Sequence, residues 1–284
     1  MHIVKPSLNL SNIAINELKH TLIEMEFEIT IQIAAILFVI ATVAGFIDAI
    51  AGGGGLLTIP ALLWAGLPPT VALATNKLQA CGGSFFASVY FLRKGMVKLS
   101  TIKLPLACAF IGSAIGTVLV QMIDTSILKV ILPFLILAIA LYFLFSPKIT
   151  DDDRHRILTP TAFSFTAALI VGLYDGFFGP GTGSFFALSF VLLAGFGLAK
   201  ATAHAKLLNF ATNISSLIFF ALGGQVFWAL GLLLLIGQSI GATLGAKVVV
   251  TKGTKVIKPL VVTMSLLMSA KLLTDQYNLM SFIQ

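Results

Sequence analysis

Apolar runs long enough to cross a bilayer recur from about Ile29 to Leu273, and nothing limits the fold of this chain more. Each helical span needs about 20 apolar residues. The runs lack the two-residue alternation of barrel strands, so they read as helices. With 58% hydrophobic residues, 10% charged residues and a mean hydropathy of +1.02, a soluble domain of 284 residues could not bury so much apolar surface. The expected fold class is an all-α polytopic membrane protein of about 8–10 hydrophobic segments.

The net charge of +7 is concentrated in short loops, as expected of cytoplasmic loops and not of a nucleic-acid surface. Cys81 and Cys108 both lie in apolar segments, with no metal-ligand spacing and no disulfide framework. No cofactor motif is present. "GPGTGS" and "AGGGGLLT" lack a preceding strand and the phosphate-loop lysine. Residues 1–28 read as a polar N-terminal extension without a signal-peptide layout, with Met25 as an alternative start.

The apolar stretch "GFIDAIAGGGG" at 45–55 contains a carboxylate, Asp48, and four consecutive glycines. It returns as "GLYDGFFGPGTG" at 172–183, with Asp175 standing 127 residues after Asp48. Three more matches follow in order: "TNK" at 75–77 with "HAK" at 204–206, "FIGSAIG" at 110–116 with "LIGQSIG" at 235–241, and "KVILP" at 129–133 with "KVIKP" at 255–259. The chain is therefore read as two repeats, 29–147 and 160–275, joined by a cytoplasmic linker at 148–159 and followed by a tail at 276–284. Each repeat is a broken or re-entrant helix hairpin plus three transmembrane helices. In the first, a run over 31–50 breaks at the glycines and resumes over 56–65, too short to cross. Spans follow near 71–92, 104–122 and 128–145. The second copy repeats this near 162–178, 185–195, 203–222, 226–246 and 257–273.

Loop charges predict that the repeats are inverted. Arg93, Lys94, Lys98 and Lys103 occupy one loop of the first copy, while the matching "GGQVFW" loop is uncharged. In the second copy Lys247, Lys252, Lys255 and Lys258 lie one segment later. Adjacent loops face opposite sides, so the basic face swaps between copies, and both termini fall on the periplasmic side.

Inverted repeats with broken helices are a common plan among secondary transporters, with substrate held near the midplane. A helix restarting inside the bilayer exposes amide groups of partial positive charge, which suit an anion. Gly52, Gly53, Gly54 and Gly55, and Gly179, Gly181, Thr182 and Gly183, are the expected backbone contacts. Close helix packing is the competing reading, and it is assigned to the pairs Gly112/Gly116 and Gly237/Gly241. Lys77 and Lys206 occupy matching positions, each heading a polar stripe: Cys81, Ser84 and Ser88 in one copy, Asn209, Asn213 and Ser216 in the other. Thr75, Asn76, Gln79 and His204 add hydrogen-bonding groups nearby, and His204 reads better as a helix-start hydrogen bonder than as a proton carrier. Asp48 and Asp175 are either ion-pair partners, Asp48 with Lys77 and Asp175 with Lys206, or members of a proton relay.

"FIDAIAGGGGLLTIPAL", "ALATNKLQACGGS", "YDGFFGPGTGSF" and "KATAHAKLLN" resemble the TauE/SafE family of sulfite-exporter-like permeases, nearest to its YfcA-like members. The resemblance covers residues 29–275. It implies a multi-pass protein of the bacterial cytoplasmic membrane that handles small sulfur anions such as sulfite or sulfonates. The expected partners are that anion and the lipid bilayer, with no nucleic acid; a homo-oligomer is compatible. The second cluster reads "GPGTG" where the first has four glycines, so the half-sites are unequal.

A passive anion channel would use the same cationic stripes. An intramembrane aspartyl enzyme using Asp48 and Asp175 fits poorly, because the acids occupy duplicate positions and no Gly-x-Gly-Asp or His-Glu-x-x-His signature is present. A transporter and not an enzyme is the expectation.

Overall fold

The computed structural model describes residues 29–128, 130, 131, 134, 153 and 155–252. The expected third spans of each repeat, near 128–145 and 257–273, fall almost wholly outside those residues. The described elements are α1 (Ile31–Ala51), α2 (Gly55–Trp64), α3 (Pro69–Arg93), α4 (Leu99–Gln121), α5 (Pro160–Phe163), a π-helical turn (Ser164–Ala168), α6 (Leu169–Phe177), α7 (Thr182–Leu192), α8 (Leu198–Leu222) and α9 (Trp228–Lys252). All regular structure among the described residues is helical.

Local chemistry sets the helix ends. Thr30 caps α1 through a bond from the Ile33 amide, and Thr159 caps α5 in the same way through Ala162. Pro69 stands at the start of α3, where a missing amide hydrogen costs nothing. Asp153, in the segment before the second half, accepts hydrogen bonds from the Gly197 amide and the Lys200 ammonium at the start of α8. The Gly197 amide first, and then Lys200, hold this carboxyl below the usual carboxylate range.

Four helices, α1, α4, α8 and α9, are long and apolar enough to cross a membrane, whereas α2 and α7 are short apolar pieces of 10 and 11 residues. Helix α3 has the length, at 25 residues, but most of it is buried in protein and lipid does not set its composition. Outward faces carry Ile36, Val39 and Val43 on α1, Ile111, Ile115 and Val118 on α4, and Ile236, Ile240 and Leu244 on α9. A belt of that kind faces hydrocarbon, and the polar residues turn inward.

The two halves interlock. Helix α1 packs along α9, and α4 packs along α6, so the last described helix of each half lies on the first helix of the other. Glycine seams make both contacts. A Cβ on Gly112 or Gly116 would strike the carbonyls of Leu169 or Leu173, and one on Gly172 or Gly176 would strike Ala109 or Ser113. Gly237 and Gly241 lie in the same way against Phe38 and Thr42 of α1, and Gly45 lies against Gln238. The packing role expected of these two pairs is what the structure shows. Gly116→Val should therefore cost on the order of 3 kcal/mol or more, since backbone on the facing helix cannot yield. The purified variant should unfold at clearly lower temperature than the parent, and an unchanged melting point would contradict the seam.

Candidate functional site

The breaks after α1 and α6 meet at the centre of the bundle. Helix α1 stops at Gly52, whose φ of 75° is left-handed and whose amide bonds to the Asp48 carbonyl. No side chain fits there: a Cβ on Gly52 would collide with the backbone of Gly183 and Ser184. A Cβ on Gly183 would in turn lie 2.7 Å from the Gly52 Cα and 3.0 Å from the Lys206 Nζ. The Ser184 hydroxyl donates to the Ala51 carbonyl, tying the two breaks together. Gly55 packs against Pro180, and a Cβ on Gly179, whose φ is 98°, would lie 2.9 Å from the Lys77 Nζ.

Two buried ion pairs flank this contact, and they run across the halves. Lys77 Nζ lies 2.9 Å from Asp175 Oδ1, and Lys206 Nζ lies 2.9 Å from Asp48 Oδ2. Both lysines are only 1% exposed. The pairing of Asp48 with Lys77 and of Asp175 with Lys206, considered from the sequence, is corrected by these distances. The crossing of the breaks brings the carboxylate of each against the lysine helix of the other half.

The two carboxylates differ in surroundings. Asp48 is fully engaged, with Oδ2 on Lys206 and Oδ1 accepting from the Gly54 amide at 3.3 Å, at the start of α2. On Asp175, Oδ1 receives both Lys77 and the Thr182 hydroxyl, while Oδ2 is buried with no hydrogen-bond partner. Lys77 also donates to the Asp175 carbonyl. Each ammonium therefore has a carboxylate already on it, and in the first half that carboxylate also takes a half-helix amide.

Several expected site residues join this cluster and others stand apart. Asn76 accepts from the Thr58 hydroxyl of α2 beside Gly55, and Gly53 accepts from Leu56. Gly181, with φ 81°, opens α7. Thr75 instead accepts from the Phe227 amide at the start of α9. Gln79 bonds to Gln238 of α9, and Asn209 bonds to Asn213 on its own helix. His204 bonds to the Lys200 carbonyl and lies against Phe190 and Phe196, a local role within the first turns of α8. Ser216 joins a hydroxyl cluster with Ser113 and Thr117 of α4.

Sequence reasoning missed Thr58, Tyr174 (whose hydroxyl donates to the Pro180 carbonyl), Ser184 and Gln238. Gln238 carried a readable signal, being an amide inside an apolar span. The others are hydroxyl groups near the glycines that only the crossing makes significant.

An apolar outer belt, membrane-length helices, and two short helices meeting at buried opposite charges define a polytopic helical membrane transporter. The chain belongs to the TauE/SafE family: the family profile described as Sulfite exporter TauE/SafE matches residues 37–272. It is 55% identical over 249 residues to a probable membrane transporter protein of Haemophilus influenzae, a match covering 88% of this chain and 98% of that one. It is 54% identical over 252 residues to the probable membrane transporter protein YfcA of Escherichia coli, covering 89% and 94%. A sulfite exporter TauE/SafE family protein 5 of Arabidopsis thaliana is 35% identical over 79 residues, which is 28% of this chain and 18% of the plant protein. No solved structure matches the chain.

Proposed function

We propose that the chain is a secondary transporter of a small sulfur anion, sulfite or a sulfonate, which it exports across the bacterial cytoplasmic membrane. The anion is held between the repeats by the half-helix amides of Gly52–Gly55 and Gly179–Gly183 and by Lys77 and Lys206. The observation that carries this reading is the crossed pair of buried Lys–Asp contacts at the two breaks. A carboxylate resting on an ammonium occupies the place of an anionic substrate. Protonating that carboxylate frees the ammonium, so proton and anion move together. For a monovalent anion the cycle is electroneutral, and export follows when the cytoplasmic anion gradient outweighs the proton gradient.

The matched helix pattern of the two halves and the alternation of basic loops support inverted repeats, with the 148–159 linker in the cytoplasm and both termini outside.

In proteoliposomes the purified protein should exchange labelled sulfite or a sulfonate with saturable kinetics, and unlabelled substrate on the far side should accelerate the flux. The same substrate should raise the melting temperature by mass action. Ohmic single-channel current would replace the carrier by a channel, and flux of carboxylates alone would remove sulfur anions as substrates.

A further inference from the structure

The end of α3, the start of α4 and the middle of α8 leave between them a groove of about 460 Å³, lined by Phe85, Ser88, Leu92, Leu106, Phe110 and Phe210 among others. At the matching place in the other half, α9 closes onto α3: Leu235 lies against Gly82, and Leu78 lies against Gly231. Leu235 and Gly231 stand at the positions matching Phe110 and Leu106, so the groove is particular to one half and not a by-product of the repeated fold.

Two observations indicate what it takes. Arg93, Lys94, Lys98 and Lys103 crowd the end of α3 and the start of α4, all exposed and none ion-paired among the described residues. Leu99, Lys103, Leu106 and Phe110 follow at helical spacing along one stripe of α4, and Arg93 lies one turn beyond Val89 on α3. Cations therefore stand at the mouth of an apolar slot. Inside it, Ser88 is 4% exposed and its hydroxyl has no partner. Five residues of helix place Ser88 about 7.5 Å of rise below Arg93. The ester groups of a phospholipid lie below its phosphate in the same direction.

We propose that this groove binds one anionic phospholipid, with its phosphate at Arg93 and Lys103, an ester carbonyl on the Ser88 hydroxyl and an acyl chain along Phe85, Phe110 and Phe210. A free anion would not use the apolar length of the slot. A zwitterionic phospholipid brings its own ammonium up to these cations along with its phosphate, whereas basic pockets between membrane helices suit headgroups of net negative charge.

Native mass spectrometry of the purified full chain, given phosphatidylglycerol or phosphatidylcholine, tests the assignment. The parent protein should retain one phosphatidylglycerol about tenfold more tightly than phosphatidylcholine. The Arg93→Gln/Lys103→Gln variant should lose that preference. Ala107→Phe, which fills the slot without changing charge, should lose the lipid itself, and Ser88→Ala should weaken retention severalfold. A charge-matched control, Lys247→Gln/Lys252→Gln, should behave as the parent. Equal retention of both lipids, equal loss in the control, or a dimer forming through Phe85 with no lipid bound would each overturn the proposal.

Discussion

Lys206→Met should lower the stability of the folded protein by about 3–5 kcal/mol, because it leaves Asp48 as an unpaired carboxylate in the bundle interior. Adding Asp48→Asn should recover most of that loss, since an amide needs no counter-ion and can still accept from Gly54. Adding Asp175→Asn to Lys206→Met should recover nothing and should instead strand Lys77. The result is read from thermal unfolding of the three single variants and the two doubles, with a coupling energy of about 1–3 kcal/mol expected only for the pair in contact. The distances of 2.9 Å for Lys206–Asp48 and for Lys77–Asp175 demand this pattern. Rescue of Lys206→Met by Asp175→Asn would show the pairs running within the halves and would dismantle the crossed site. On the proposed transport reading, in which Lys206 receives the anion, the rescued double should fold and yet not transport.

Asp175→Asn should separate anion exchange from proton coupling. Asp48 has both oxygens in use, one on Lys206 and one on the Gly54 amide. A proton added to it has to break one of those contacts. Asp175 keeps one oxygen free of any partner, so a proton can sit on Oδ2 before the Lys77 contact on Oδ1 is given up. Asp175 is on this reading the proton-loading acid and Asp48 the fixed counter-charge. Proteoliposomes carrying Asp175→Asn should still exchange labelled anion, while an imposed pH gradient should no longer drive net accumulation, a loss on the order of tenfold or more if coupling runs through one acid. Asp48→Asn should mainly cost folded protein. Undiminished pH-driven uptake by Asp175→Asn, or an uncoupled but stable Asp48→Asn, would reverse the roles of the two acids.

The membrane class, the places where helices break and the packing glycines were legible because each follows from local rules. Hydropathy over a span's length marks helices that lipid surrounds. Four glycines in a row at Gly52–Gly55 stop a helix wherever they occur, and glycines four apart mark a seam. Helix α3 shows the limit of hydropathy: 18 of its 25 residues are buried in protein, so its polar content reflects its neighbours rather than the bilayer. The polar stripes read from helical angles had the right residues facing inward, but not one common site. Gln79 is committed to Gln238, Thr75 to the start of α9 and Ser216 to α4. Helical spacing shows which residues share a face and is silent about what that face meets.

By itself the sequence determined a helix-built membrane protein, with an acid before each break and a lysine in the helix after it, since length, hydropathy and glycine content act one segment at a time. Only the tertiary structure decided that each acid serves the lysine of the other half, and that the two breaks touch through Gly52 and Gly183. The reason is physical: an ion pair a few ångströms long depends on which helices cross, and the crossing is set by interlocking seams between segments far apart in the chain.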